Sequence, residues 1–175
     1  MTDQFDRSFF INSYFFSVNC TSAKSLIPMK SLLNDETAEE IKDRINQLSP
    51  QQQALWGKMS VSQALHHCQF PLQIALQKNH PPVKPNWFAK LLFKKAMYDD
   101  KPWRKNLPTV PSFRVTGQKE FEQEKNELIK LVNEFNDKKD VIEWQPHPVF
   151  GKFTAQQWGQ MQYKHLDHHL QQFNV

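Results

Sequence analysis

The sequence is poor in glycine and cysteine and has no long apolar run. Four glycines in 175 residues argue against a β-sandwich or a glycine-rich phosphate loop. Two cysteines, neither in a Cys-x-x-Cys pair, make no disulfide framework, so we expect a reducing compartment, the cytoplasm. The longest apolar stretch, Phe9 to Val18, is interrupted by Asn12 and Ser13 and is too short to span a bilayer. These absences predict a soluble protein with no membrane partner.

The positive charge of the chain is modest and mostly dispersed. The formal net charge is +4 at pH 7, and basic residues alternate with acids except between Lys84 and Lys105. A solvated basic face explains that stretch more simply than a nucleic-acid footprint, and the stretch carries no known docking motif. We therefore do not expect a nucleic-acid partner.

What the chain does contain is bulky core material at helical spacing. Fourteen Phe and five Trp, in a chain of this length, suffice for the core of one domain. Two capping boxes, Ser60 with Gln63 and Thr154 with Gln157, mark helix starts. The apolar periodicity predicts four principal helices, beginning near 34, 60, 118 and 154, and a shorter one over about 86–98. No strand alternation competes, so we expect an all-α fold, an antiparallel four-helix bundle.

Residues 1–28 differ from the rest of the chain. They show neither a helical nor a strand period, so we expect an irregular N-terminal extension that is poorly ordered or precedes the true start. A Phe-rich docking arm is the alternative. The bundle domain is then predicted to span residues 29–175.

The most specific chemical signal lies in the last helix, which carries three of the seven histidines within five residues. His165 and His169 are four apart, so they lie one helical turn apart and can converge on one ion. Both fall on the apolar stripe, whereas His168 points away from it. Buried polar groups need a partner, and neutral imidazole suits zinc, nickel, copper or iron. The pair alone is only suggestive, because many such pairs are surface accidents.

A catalytic metal usually has three protein ligands, so a third must come from another helix. His66 and His67 on the second helix are the obvious source, and helical periodicity favours His67 only weakly. Cys68 lies on the apolar stripe, but a lone buried cysteine is more often a small hydrophobe. His147, between two prolines, could also reach the site from the preceding loop.

Three further residues, with His147, are candidates for the pocket wall. Gln162 shares the stripe of the last helix with the two histidines, and Trp158 lies on the same stripe. Trp56 stands just before the second helix. Packing alone explains each of these positions equally well.

Two parts of the sequence resemble the signatures of a known family. Residues 55–68, Leu-Trp-Gly-Lys-Met-Ser-Val-Ser-Gln-Ala-Leu-His-His-Cys, are similar to the second-helix signature of a DinB-like family of unknown function. Two later stretches are similar to the closing segment of that family. They are residues 147–158, His-Pro-Val-Phe-Gly-Lys-Phe-Thr-Ala-Gln-Gln-Trp, and residues 163–173, Tyr-Lys-His-Leu-Asp-His-His-Leu-Gln-Gln-Phe. The similarity runs from about Met29 to Val175. The chain thus resembles the DinB/YfiT-like superfamily of metalloenzymes.

The resemblance implies an antiparallel four-helix bundle whose divalent metal, zinc or nickel, is held by three histidines. By motif position these are His67, His165 and His169. His66 stands where the family often has a small residue. Relatives include transferases and isomerases that use low-molecular-weight thiols. The resemblance therefore implies a metal-dependent thiol transferase or hydrolase acting on a small molecule, as a homodimer. The alternative is a non-catalytic bundle with a structural metal or none.

Overall fold

The computed structural model describes residues 29–84, 87–141 and 143–175, so the expectation about residues 1–28 falls outside the described residues. Within them the helices are α1 Asp35–Asn46, α2 Val61–Ala75, α3 Trp87–Phe93, α4 Phe121–Asn136 and α5 Ala155–Gln172. Two 3-10 turns, Lys95–Met97 and Pro111–Phe113, lie between α3 and α4. The described part contains no strand, which confirms the all-α prediction. None of its helices combines the length and the hydropathy needed to cross a membrane.

The helices begin where the capping residues stand in the sequence. The Asn34 side chain caps α1, and both predicted capping boxes form in full, at the starts of α2 and α5. In each box the Ser60 or Thr154 hydroxyl accepts from the backbone N–H three residues on, while the glutamine at that position accepts from the cap N–H. The predicted starts of these three helices are confirmed.

Four helices, α1, α2, α4 and α5, pack in a ring in which each contacts two neighbours. Helix α2 lies between α4 and α5, and α1 contacts the same two helices from the opposite side. Gln162 of α5 donates to the Pro71 carbonyl late in α2, whereas Gln172 donates to the Trp56 carbonyl before α2. Helices α2 and α5 therefore run antiparallel.

Contacts near the helix ends give the directions at the other interfaces. Helix α1 runs antiparallel to α4 and parallel to α5, and α2 runs parallel to α4. The pairs are Asp35–Lys139 and Leu32–Asn136 for α1 with α4, Leu32–Gly159 and Arg44–Asp167 for α1 with α5, and His66–Glu124 and Lys78–Glu134 for α2 with α4. The four-helix bundle is confirmed, with two antiparallel and two parallel neighbouring pairs.

The apolar stripes of the four helices meet in one core. Among its fully buried members are Ile41 and Ile45 of α1, Leu72 of α2, Val132 and Phe135 of α4, and Leu166 of α5. Burial of each such side chain contributes about 1.5–3 kcal/mol before the entropy of folding is counted. This core holds α2 against α5 and thereby sets which of their residues face each other.

Helix α3 is shorter than the stretch of about 86–98 that the sequence predicts, and it adds little to the core. It ends at Phe93, and the 3-10 turn Lys95–Met97 is its main packing partner. Leu91 and Leu92 are 73% and 66% exposed. The bundle therefore consists of the other four helices.

Gly159 allows α5 to approach the segment before α1. The Leu32 N–H donates to the Gly159 carbonyl at 3.0 Å, and a Cβ at 159 would overlap Ser31 Oγ and lie 3.2 Å from Leu33 Cγ.

We expect Gly159→Ala to lower the free energy of unfolding by about 1–3 kcal/mol, although alanine ordinarily stabilises a helix relative to glycine. Denaturant unfolding measures the loss. A Ser31→Gly change in the same chain should restore part of it, and a stabilised single variant would contradict the crowding.

Candidate metal centre

The structure brings together His67 of α2 with His165 and His169 of α5. One ring nitrogen from each lies within 4.8 Å of the others, so the three could hold a metal ion. His67 and His165 are buried and His169 is partly buried. The arrangement follows from the packing of α2 on α5, which sets the single histidine across from the pair.

Two of the nitrogens already stand at the spacing of metal ligands. The Nε2 atoms of His67 and His165 are 3.2 Å apart. In a tetrahedral zinc site with bonds of about 2.0–2.1 Å, neighbouring ligand nitrogens are about 3.3 Å apart. The ring of His169 lies 4.9 Å and 4.8 Å from the other two, between centroids. The three rings are therefore close enough for each to offer one nitrogen to a common ion.

Hydrogen bonds at Nδ1 orient two of the three rings. His67 Nδ1 donates to the Phe113 carbonyl at 3.0 Å, and His169 Nδ1 donates to Gln172 Oε1 at 2.9 Å. This tautomer leaves Nε2 with a lone pair for a cation. His165 Nδ1 is buried and has no hydrogen-bond partner among the residues described.

Burial keeps the three imidazoles neutral. It lowers the pKa of His67 and lowers that of His169 to about 3. It also brings the pKa of His165 well below the usual value, and the neighbouring His169 and His67 lower it further. A cation binds the neutral form of imidazole, because a proton would occupy the same lone pair. At neutral pH the three imidazoles are therefore in the neutral form that binds a cation.

His66, the alternative to His67, faces α4 instead. Its Nδ1 is 2.8 Å from Oε2 of the buried Glu124, and Gln69 donates to the same oxygen at 2.7 Å. A buried carboxylate needs such partners. Periodicity alone could barely separate positions 66 and 67, whereas the acid on α4 explains why His66 turns that way.

Cys68 and His147 do not join the three histidines. Cys68 lies in the apolar core, and burial raises the pKa of its thiol, so the thiolate that would bind a metal is disfavoured. The His147 ring packs on Trp158 and Phe150, at 5.5 and 4.8 Å between centroids. In the part of the chain that is described, no fourth histidine, cysteine or carboxylate completes the group.

The other candidate wall residues lie at different distances from the cluster. The Trp56 ring is 5.8 Å from that of His168, which is half-buried beside the cluster rather than pointing freely to solvent. Gln162 is fully buried one turn before His165. Trp158 precedes His165 by seven residues, about 10 Å along the helix. Trp56 and Gln162 are thus near the histidines, and Trp158 is farther away.

The connection between α3 and α4 covers part of the histidine cluster, and nothing in the sequence patterns described above predicts this. Trp103 packs on the rings of His165 and His168, at 5.8 Å in each case. The Phe113 carbonyl from the same connection orients His67. A tryptophan inside a proline-rich loop is a sequence signal that could have been used. A backbone carbonyl leaves no such signal.

Lys164 anchors this loop to α5. Its side chain is 5% exposed and donates to the Asp99 carboxylate at 2.6 Å and to the Ala96 carbonyl at 2.8 Å. Trp103 Nε1 donates to the same Ala96 carbonyl. A buried ammonium is tolerated because all these acceptors surround it. The anchor holds Trp103 over the histidines.

Fold and site together define a four-helix bundle with a buried three-histidine cluster that could bind a metal ion. The chain belongs to a family described as "Protein of unknown function (DUF1569)", whose model matches residues 29–175. Comparison with curated proteins finds no match, and neither does comparison with solved structures. The family is uncharacterised, so any activity has to be inferred from the site.

We expect His147 to make the stability of the bundle pH-dependent. Burial lowers its pKa from the usual 6.5 to about 4. The folded state therefore takes up this proton less readily than the unfolded state. The contribution to stability is present above pH 6.5 and is lost as the pH falls from 6.5 to 4. The expected loss is on the order of 3 kcal/mol.

A His147→Asn variant tests this expectation. The asparagine oxygen can replace Nδ1 as the acceptor for the Val149 and Phe150 N–H groups, and it does not titrate. Denaturant unfolding at neutral and acid pH should show a smaller acid loss in the variant than in the parent chain. The clustered histidines titrate in both proteins, so their contributions cancel when the two losses of stability are compared. Equal losses would contradict a contribution from His147.

Proposed function

We propose that this protein is a metal-dependent enzyme whose divalent cation is held by His67, His165 and His169. The observation that carries the proposal is the convergence of three neutral imidazoles from two helices, two of them with Nδ1 already hydrogen-bonded. Such a donor set suits zinc or nickel. The resemblance to the DinB/YfiT-like superfamily also supports the proposal, because histidines at these motif positions hold the metal in that superfamily.

The donor set favours a catalytic role over a structural one. Structural zinc sites fill all four positions with protein ligands, whereas catalytic sites keep one for water or substrate. Cys68 and His147, the two residues that could have supplied a fourth ligand, are not part of the group. When bound, a divalent cation lowers the pKa of a water or thiol at the open place.

Aromatic side chains of this chain would shield the reaction from water. Phe70 and Phe113 stand edge-on to the His67 ring, at 6.0 and 6.4 Å between centroids, and pack on each other at 5.1 Å. Trp103 stands in the same way against His165. A dry wall strengthens the electrostatic interactions beside it.

A groove near the cluster is large enough for a small molecule, and in the described part of the chain it is connected to the histidines only through Trp56 and His168. An open groove of about 450 Å³ is lined in part by Trp56 and Lys105. Sites for small molecules commonly have volumes of about 300–1,000 Å³. The Trp56 ring contacts His168, and the His168 ring lies 5.2 Å from that of His169. The groove is therefore the approach that we assign to the substrate.

The proposed reaction is transfer of a low-molecular-weight thiol to the substrate, or hydrolysis of the substrate. Both need a place on the cation for sulfur or oxygen, and the thiol reaction comes with the superfamily resemblance. A cytoplasmic location, pairing of two copies and a bundle domain that spans residues 29–175 belong to the same proposal.

Purified protein assayed with small thiols and electrophilic acceptors should show turnover that His169→Ala abolishes.

A non-catalytic bundle with a structural metal or none is the second candidate. One observation favours it. The Nε2 atoms of His67 and His165 are within hydrogen-bonding distance of each other at 3.2 Å. A neutral imidazole can donate to a second one, so the two Nε2 atoms can satisfy each other without a cation.

Alanine variants distinguish a cluster that holds a metal from one that holds none, and the thiol assay then separates a catalytic metal from a structural one. His67→Ala, His165→Ala and His169→Ala should each lose most of the bound metal, because two nitrogens hold a cation much more weakly than three. Elemental analysis of purified protein measures the content, and anomalous scattering should place the ion at the cluster. His66→Ala and His168→Ala are the controls and should keep it. Metal content that is unchanged in the three variants, or equally reduced in all five, would refute the assignment.

A further inference from the structure

We propose that Gln172 is a positioning residue that holds His169 in its metal-binding tautomer and links it to the turn at residues 55–57. This inference rests on the proposed function, since it concerns a ligand of the same cation. Gln172 ends α5, three residues after His169, and is 2% exposed. A buried amide needs partners at both its oxygen and its nitrogen.

The partners of Gln172 fix the orientation of its amide. Its nitrogen donates to the Trp56 carbonyl at 2.6 Å, and a carbonyl can only accept. The amide oxygen must therefore be the atom 2.9 Å from His169 Nδ1. Since that oxygen can only accept, the proton of His169 lies on Nδ1 and its Nε2 is free for a cation. The chain of bonds from Trp56 thus sets the tautomer of His169.

Among the described residues, His169 is the one of the three clustered histidines whose Nδ1 bonds to a side chain. His67 bonds to a main-chain carbonyl, that of Phe113, which a substitution does not delete. His165 Nδ1 has no hydrogen-bond partner within the described residues. A change at Gln172 can therefore test ligand orientation without altering any ligand.

The turn at residues 55–57 is built closely around Gln172. The Leu55 N–H donates to the Gln172 carbonyl at 2.8 Å. Gly57 has φ +82°, and a Cβ there would lie 2.6 Å from Gln172 Nε2. The ring of Trp56, in the middle of the turn, lines the groove. A ligand that shifts this turn would therefore also change the hydrogen bond to His169.

Two substitutions at position 172 separate positioning from packing. Gln172→Leu removes both hydrogen bonds, whereas Gln172→Glu keeps the acceptor for His169 and loses the donor to Trp56. Zinc affinity, measured by competition with a chromogenic chelator, should fall about 10–100-fold in Gln172→Leu and stay at or above the parent value in Gln172→Glu. Both variants should lose stability. An equal loss of affinity in the two variants, or none in Gln172→Leu, would overturn the proposal.

The metal-free protein gives a second readout. Long-range ¹H–¹⁵N spectra should show the proton of His169 on Nδ1 in the parent chain and in Gln172→Glu, and a shift toward Nε2 in Gln172→Leu. An unchanged tautomer in Gln172→Leu would contradict the positioning role. Gln52→Leu is the matched control, because Gln52 also donates to the end of α5, at the Phe173 carbonyl, and within the described residues its hydrogen bonds go to Phe173 and Ser49 rather than to a histidine. It should lower stability and leave both zinc affinity and tautomer unchanged.

The outcomes separate this inference from the proposed function. If the parent chain takes up no zinc, or if His169→Ala retains it, the metal proposal fails and the tautomer measurement alone decides the role of Gln172. If zinc binds through the three histidines and Gln172→Leu binds it equally well, the positioning role fails and the metal proposal stands.

Discussion

The antiparallel packing of α2 against α5 is the contact on which the candidate site depends. It sets His67 across from a pair that one helix presents on successive turns, and it buries His67 and His165 fully and His169 in part. Burial lowers their pKa values, so the same contact that brings the nitrogens together also keeps them unprotonated. Three neutral imidazoles in this arrangement could hold a divalent cation.

The connections between helices complete what the helices begin. Trp103 and the Phe113 carbonyl come from the segment between α3 and α4, and the turn at residues 55–57 engages the last residue of α5. Lys164, beside His165 in the sequence, anchors the first of these connections. The hydrogen bonds that hold these connections in place therefore also position residues of the candidate site. The chain belongs to an uncharacterised family, and these shared bonds give experiments a place to start.

The fold was predictable to the extent that local signals determine it. The caps at Asn34, Ser60 and Thr154 and the apolar spacing after them depend only on neighbours within a turn, and the structure follows them. The limits of α3 were less accurate, because its apolar residues Leu91 and Leu92 pack on no core that would extend the helix. Which neighbouring helices run parallel also lay beyond local signals, since contacts far apart in sequence decide it.

For the site, the four-residue spacing of His165 and His169 was enough to put both on one face of a helix, because helical geometry is local and constant. The sequence also indicated that a partner would come from residues 66–67. Tertiary structure decided between them, since a buried acid on α4 binds His66 and leaves His67 to face α5. It likewise decided that Trp103, Phe113 and Gln172 surround the histidines. Such contacts join residues far apart in the chain, and only the packed core specifies which of them meet.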